Sequence, residues 1–279
     1  MRTVRGLALP AVVVSAAALL AATIPAAGGL SAQSSPPGAT VPRVPFGPGE
    51  RAEYAVSLGI FGNVGQGSME VMGIEEVHGH PTYHLRFDLQ GKVAFASVDD
   101  RLESWMDVMG LFARRAHKDQ DEVSYEAVKS YDFFPDSMFY RRLETGDTAT
   151  LASTEPLDEV SFLYYVRTLP LEPGDTYTMD RYYKESGNPV IIKVLRRELM
   201  VGADGSEIPV VVVQPIIETS GLFGEGGRAE VYFTDDWRRI LVKMTSKVPV
   251  IGRLGLTLTG YTPGEPLTSL PAGFSGETR

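Results

Sequence analysis

The stretch RAEYAVSLGIFGNVGQG, residues 51–67, decides how the whole chain is read. Ala52, Tyr54, Val56, Leu58 and Ile60 occupy alternate positions. A period of two places them on one face of a β-strand and the intervening residues on the other. Gly62-Asn63 and Gly65 to Gly67 then read as turn residues leading into a hairpin. The same alternation recurs in Tyr83, Leu85, Phe87 and Leu89, and in Ala229, Val231 and Phe233. It recurs again in Ile240, Val242 and Met244, and in Leu254, Leu256 and Leu258. Short Gly-, Asn- and Asp-bearing turns between such segments make neighbouring strands antiparallel. The expected class is all-β with one short helix, arranged as an antiparallel curved sheet, a half-barrel or a two-layer β structure.

Two segments depart from alternation. Val190 to Leu195 and Val210 to Val213 are apolar on both faces, so each predicts a cover on both sides: a second sheet, a helix or a ligand. The helix is predicted after Thr154 as cap, with Glu155 and Pro156 in its first turn and Asp158 and Glu159 at its positive end. Leu157, Val160, Leu163 and Tyr164 share a face, and Leu169-Pro170 ends it. A weak internal similarity links Gly49-Glu50-Arg51-Ala52-Glu53-Tyr54 to Gly174-Asp175-Thr176-Tyr177. It also links Ser104-Trp105-Met106-Asp107 to Val231-Tyr232-Phe233-Thr234-Asp235-Asp236, which permits two tandem halves, 45–150 and 170–262.

Outside this region, Arg2 and Arg5, the apolar run from Ala11 to Ile24, and the small residues Ala26, Ala27, Gly28, Ser31 and Ala32 form a signal-peptide pattern. The run is shorter than the ~18–20 residues a span requires. The division expected is a signal peptide over 1–33, a Ser/Pro-rich flexible linker over 34–44, a β-rich domain over 45–262, and a Gly/Pro/Ser-rich tail over 263–279. Cleavage leaves a water-soluble exported chain, periplasmic or extracellular, without a membrane span. The sequence has no cysteine, which excludes a lipoprotein anchor, disulfides and thiolate chemistry. The net charge of −9 contains no Lys/Arg-rich run, so nucleic acid is not an expected partner.

Several separated pieces resemble one bacterial family, the exported proteins catalogued as domain of unknown function 3108. They are Pro45-Phe46-Gly47-Pro48-Gly49-Glu50 followed by Tyr54, Gly65-Gln66-Gly67, Ser104-Trp105-Met106-Asp107 and Leu163 to Gly174. Val194-Leu195-Arg196-Arg197-Glu198 and Thr234 to Ile240 complete the set. The resemblance implies an envelope location and a β-rich fold, and it implies no activity. At the level of fold alone, the chain is also similar to the open sheets of periplasmic lipoprotein carriers.

Chemistry is sparse. His78, His80 and His84 surround the turn Gly79-Pro81, and no carboxylate at ligand spacing completes a metal set. The glycine-rich stretch Gly221 to Arg228 lacks the Lys-Ser/Thr pair of a phosphate loop. There is no G-x-S-x-G elbow. No catalytic residue, metal or cofactor is expected. Asp99-Asp100 and Asp235-Asp236 read as turn starters, and Asp100, Asp107, Arg167, Asp236 and Arg239 as turn or ion-pair residues. Trp105, Tyr164, Tyr165, Leu222 and Phe223 are the candidate ligand contacts, the last two as a lid. Three functions stay open: a non-enzymatic binder of a hydrophobic small molecule in the concave face of a sheet, a structural or assembly factor contacting an envelope protein, and a hydrolase using paired aspartates.

Overall fold

In the computed structural model the described residues are 40–93, 96–122, 125–202, 205–217, 229–248, 252–271 and 274. A first meander runs through β1 (Arg51–Leu58), β2 (Asn63–Val77), β3 (His80–Val93), β4 (Ala96–Asp107), β5 (Ala113–Glu122), β6 (Tyr125–Phe134), β7 (Phe139–Arg142) and β8 (Thr148–Thr150). The helix α1 (Glu159–Val166) follows. A second meander comprises β9 (Thr176–Met179), β10 (Val190–Val201), β11 (Glu207–Ile216), β12 (Glu230–Thr234), β13 (Leu241–Val248) and β14 (Gly252–Thr262). β1 pairs with β14, so the two meanders form one unclosed curved sheet of fourteen described strands, every ladder antiparallel, with β8 and β9 at its edges.

Bulges in β14, β2, β5, β10 and β13 bend the sheet. They also change which side chains face inward. Ile240, Val242 and Met244 do not share a face as their spacing predicts. The bulge opposite Tyr232/Phe233 turns Val242 outward, while Met244 stays in the main core. Gly65 and Gly67 are likewise not turn residues but belong to β2. A Cβ on Gly65 would lie 2.0 Å from the Gln90 carbonyl oxygen.

The helix is capped by Asp158, not Thr154. The Asp158 carboxylate accepts from the backbone of Val160 and Ser161, and the Ser161 hydroxyl accepts from the Asp158 backbone. Leu157, read as a helical residue, instead forms a bridge with Tyr182. Apart from Tyr165, every residue of α1 is buried, and the helix lies against the inner faces of β3 and β4. A helix apolar on all sides suits an interior position. Its Phe162, Leu163 and Tyr164 join Phe46, Tyr83, Leu85, Phe87 and Phe133 in one core that reaches both meanders.

The edges β8 and β9 do not pair. The segments beyond them do: Leu157 N donates to Arg181 O at 2.6 Å, and Tyr183 N to Leu157 O at 3.2 Å. The packed structure also extends beyond the stretch 45–262. Val41 and Val44 are buried, and Leu267 and Leu270 pack against the core. Gly47 and Gly264 allow the two terminal segments to meet; a Cβ on either would come within 2.1 Å of backbone of the other segment.

Candidate functional site

The strands apolar on both faces locate the inner and outer surfaces. Val211 and Val213 belong to the main core, whereas Val210 and Val212 form a second cluster outside with Tyr232 and Val242. Tyr232 covers that cluster, under Arg196 and Lys243 at 6.0 and 5.2 Å from its ring centroid. Among the described residues, the outer cover therefore comes from side chains of the same sheet.

Inside, the register aligns an apolar band across eight strands. It runs from Val213 on β11 through Val231, Met244, Leu256 and Val56 to Gly65, Gly91 and Val98 on β4. At Gly67, one step toward the helix, Leu89 and Leu256 fill the space: a Cβ there would meet them at 3.7 and 3.8 Å. At the band's Val98 and just beyond it at Val64 and Leu254, on the side away from α1, the side chains remain only half-buried. Gly65 and Gly91 present bare backbone between them. Ser246, opposite Leu254, faces the same side; its hydroxyl is buried and, among the described residues, has no hydrogen-bonding partner. This mouth of small and apolar groups carries one unsatisfied hydroxyl, and the buried carboxylate of Asp100, next to Val98 on the same face of β4, forms part of its inner wall.

The opposite end of the interior is closed by ionic contacts. Arg167, just after α1, donates to both oxygens of Glu50 at 2.6 and 3.0 Å, and to the carbonyls of Pro45 and Arg238. Tyr261 donates to Glu50 at 3.0 Å. Burial disfavours the Arg167 cation, but the Glu50 charge outweighs it and raises the pKa. Deeper in, Ser104 donates to Asp158 at 2.5 Å, while Lys118 and Tyr182 donate to Glu159 at 2.5 and 3.1 Å. Desolvation pushes the Asp158 carboxyl up to about 6. Glu159 is desolvated too, yet the Lys118 ammonium holds it below its usual range.

The sequence candidates separate. Tyr164 is buried beside Phe46, their ring centroids 4.9 Å apart, and Tyr165 is half-buried under Arg181, 4.2 Å from its centroid. Trp105 lies on the outer face of β4, stacked on His84 at 4.5 Å, its indole N–H donating to Glu75. Trp105 and Tyr164 are thus on opposite sides of the sheet. Leu222 and Phe223 lie outside the described residues. Asp107 and Asp236 each accept backbone N–H groups of their own turns. Arg239 binds Asp235 at 2.9 Å. Asp100 lies near the middle of β4 and Asp107 at its end, on opposite faces of the strand, so these two carboxylates do not form a pair for acid–base work. Val64, Gly91, Val98, Leu254 and Ser246 escaped the sequence reading. A period-two pattern marks the strand face, whereas their position at its uncovered end depends on where the helix stops.

No helix among the described residues is long and apolar enough to cross a membrane. The family model described as protein of unknown function (DUF3108) matches residues 53–259. No curated protein matches the chain. A solved structure, a beta-barrel-like protein of domain of unknown function DUF1849 from Brucella abortus, aligns with 78% of this chain and 98% of its own, at 11% identity and a TM-score of 0.49.

Proposed function

The chain belongs to the DUF3108 family, and from that premise we propose that it is an exported, non-enzymatic envelope protein that binds an apolar ligand, such as an acyl chain, in the mouth of its curved sheet. The observation that carries the reading is the contrast within one concave face. Around α1 the inward side chains are fully buried, whereas beyond it Val64, Val98 and Leu254 stay half-buried around the bare backbone of Gly65 and Gly91. An acyl chain there would remove apolar surface from water at about 25 cal/mol per Å². Ser246 would supply the polar contact that fixes its position. Asp107 and Asp236 are spent on their own turns, which gives no support to the hydrolase alternative.

Gly91 supplies the test. A Cβ at this position meets nothing nearer than the Val64 carbonyl oxygen at 3.4 Å, so Gly91→Phe fills the mouth without a backbone clash. Wild-type protein should take up a fluorescent fatty acid and carry lipid in native mass spectra. Gly91→Phe should keep its circular dichroism and lose affinity by roughly tenfold or more. A wild-type protein that binds neither, or a Gly91→Phe variant that binds as well as wild type, contradicts the reading.

An assembly role through the outer face is a second reading. It is favoured by the outer cluster itself, around which Leu195, Met200 and Ile208 stay only partly buried.

A further inference from the structure

β1 ends at Leu58, one alternation short of Ile60. A single 3₁₀ turn, Gly59–Phe61, follows, and Leu58 N donates across it to Gly62 O at 3.0 Å. Gly59 and Gly62 take φ of 47° and 70°, which glycine adopts without steric cost. The turn places Ile60 and Phe61 at the tip of the β1–β2 hairpin, 97% and 61% exposed. No other large apolar side chain among the described residues is as exposed as Ile60. The tip stands clear of the rest of the fold: a Cβ on Gly59 or Gly62 would meet nothing within 4 Å.

This tip belongs to the rim of the mouth. Leu58 stands opposite Leu254 and is half-buried like it, so the apolar wall continues from the mouth through Leu58 onto the tip. Positive charge flanks it. The turn lies against β14, where Arg253 is exposed one residue before Leu254. On the other side Lys92 is exposed one residue after Gly91, the β3 partner of Gly65. Glu230 is within electrostatic reach of Arg253 and is itself bonded to Arg196 and Tyr232. Farther round the rim the sign reverses. On the outer face of β4–β6, Asp99 stands opposite Asp121 and Asp121 opposite Glu126, all three exposed.

We propose that the Ile60–Phe61 tip inserts into the interfacial layer of an anionic lipid bilayer, with Arg253 and Lys92 against its phosphates and the acidic side of the rim turned away. Two side chains on a convex tip cover far less than the roughly 1,200 Å² of a stable protein interface. A bilayer asks for no complementary pocket, and affinity there grows with the apolar area inserted plus attraction to anionic headgroups. The charge reversal along the rim fixes which side meets the lipid. Docked in this way, the mouth lies against the phase that holds acyl chains. That role rests on the reading given under Proposed function, while the docking has a test of its own.

The sequence has no cysteine, so Ile60→Cys and Asp121→Cys each give the full chain one site for a polarity-sensitive fluorophore. The label reports the tip itself, whatever else of the chain meets lipid. The probes are vesicles of phosphatidylcholine alone and of equal parts phosphatidylcholine and phosphatidylglycerol. On the mixed vesicles the Ile60 label should shift to the blue and be quenched by nitroxide-bearing lipid, while the Asp121 label stays in water. Adding Phe61→Ser should raise the lipid concentration at half-shift about tenfold. Adding Lys92→Gln/Arg253→Gln should raise it about tenfold on the mixed vesicles alone. An Ile60 label that stays in water, or shifts no more than the Asp121 label, overturns the docking. So does a wild-type dimer in sedimentation that Ile60→Ser/Phe61→Ser dissolves, because a second copy then covers the tip. Equal midpoints on the two vesicle types overturn the part given to Arg253 and Lys92. Uptake of a fluorescent fatty acid from solution, without vesicles, reads the mouth separately. If uptake survives and the label stays in water, the docking falls and the mouth stands. If the label inserts and no fatty acid is taken up, the docking stands and the mouth falls.

Discussion

Strands β1–β6 and β9–β14 follow similar local plans and spend their side chains differently. Each set opens on Pro-Gly-acid. Gly49 and Gly174, with φ of 83° and 99°, donate to Val71 and Val194, whose own N–H groups donate back to Glu50 and Asp175. Each of those valines precedes a bulge. Each third strand carries a proline, Pro81 or Pro209, whose carbonyl accepts from the turn after the fourth, at Val108 or Asp235. Each of those turns closes on a residue with positive φ, Leu111 at 52° and Arg239 at 48°.

The difference lies in where charge and apolar surface go. In the first set Glu50 is buried on Arg167, and the outer face carries ion pairs joining Arg51, Glu70, Arg86, Asp88 and Arg101. In the second set Asp175 is exposed, Arg197 binds Glu172 and Asp235 at the surface, and the outer face holds the Val210–Val212–Tyr232–Val242 cluster. The lesson is that a shared backbone plan leaves the choice of stabilising chemistry free. One half relies on a buried ion pair tied to the helix, the other on apolar packing.

The largest test of this contrast is Arg167→Met. Removing one partner of a buried pair leaves Glu50 charged and unpaired, at a cost of about 3–5 kcal/mol. Arg197→Met, at the exposed counterpart, should cost less than about 1 kcal/mol. Urea midpoints for the two variants would break the comparison if they came out equal. Next in size is Tyr232→Ala, which uncovers the outer cluster and should cost roughly 2–4 kcal/mol; a loss within experimental error would mean the cluster needs no cover.

The smallest effect is in pH. All four histidines lie in the first set. His84 bonds Glu75 and Glu103 at 2.9 Å each. Desolvation lowers its pKa, but the Glu103 bond and the two carboxylate charges outweigh it, leaving the pKa raised above 6.5. The folded state thus holds this proton more tightly than the unfolded one. The stabilisation is fully present below pH 6.5 and fades as pH rises through the raised value. His84→Gln should therefore cost less than about 1 kcal/mol near pH 5.5 and converge on wild type at alkaline pH. A gap that widened with pH would contradict the sign.

Much of the architecture was legible in local pattern. Alternation such as Tyr83-Leu85-Phe87-Leu89 names an inner face because the period of a strand is two. What escaped required partners distant in sequence. Glu50 and Arg167 are 117 residues apart, and nothing near either predicts the pair. The two-faced run Val210 to Val213 correctly signals a double cover, but the outer cover is Tyr232 on the neighbouring strand, so those strands do not themselves demand a ligand. Thr154 reads as a cap by residue type, yet Asp158 caps the helix because Leu157 is held in the bridge to Tyr182. The candidate mouth was invisible because glycines in a strand look like punctuation until the register shows which face they leave bare.

Photo-crosslinking with a diazirine-bearing fatty acid, followed by peptide mapping, tests the central claim most directly. Adducts should fall on peptides containing Val64, Val98 and Leu254, and Gly91→Phe should abolish them. Adducts concentrated on Met200 and Ile208 of the outer face, or labelling of Gly91→Phe equal to wild type, would contradict a ligand site inside the sheet.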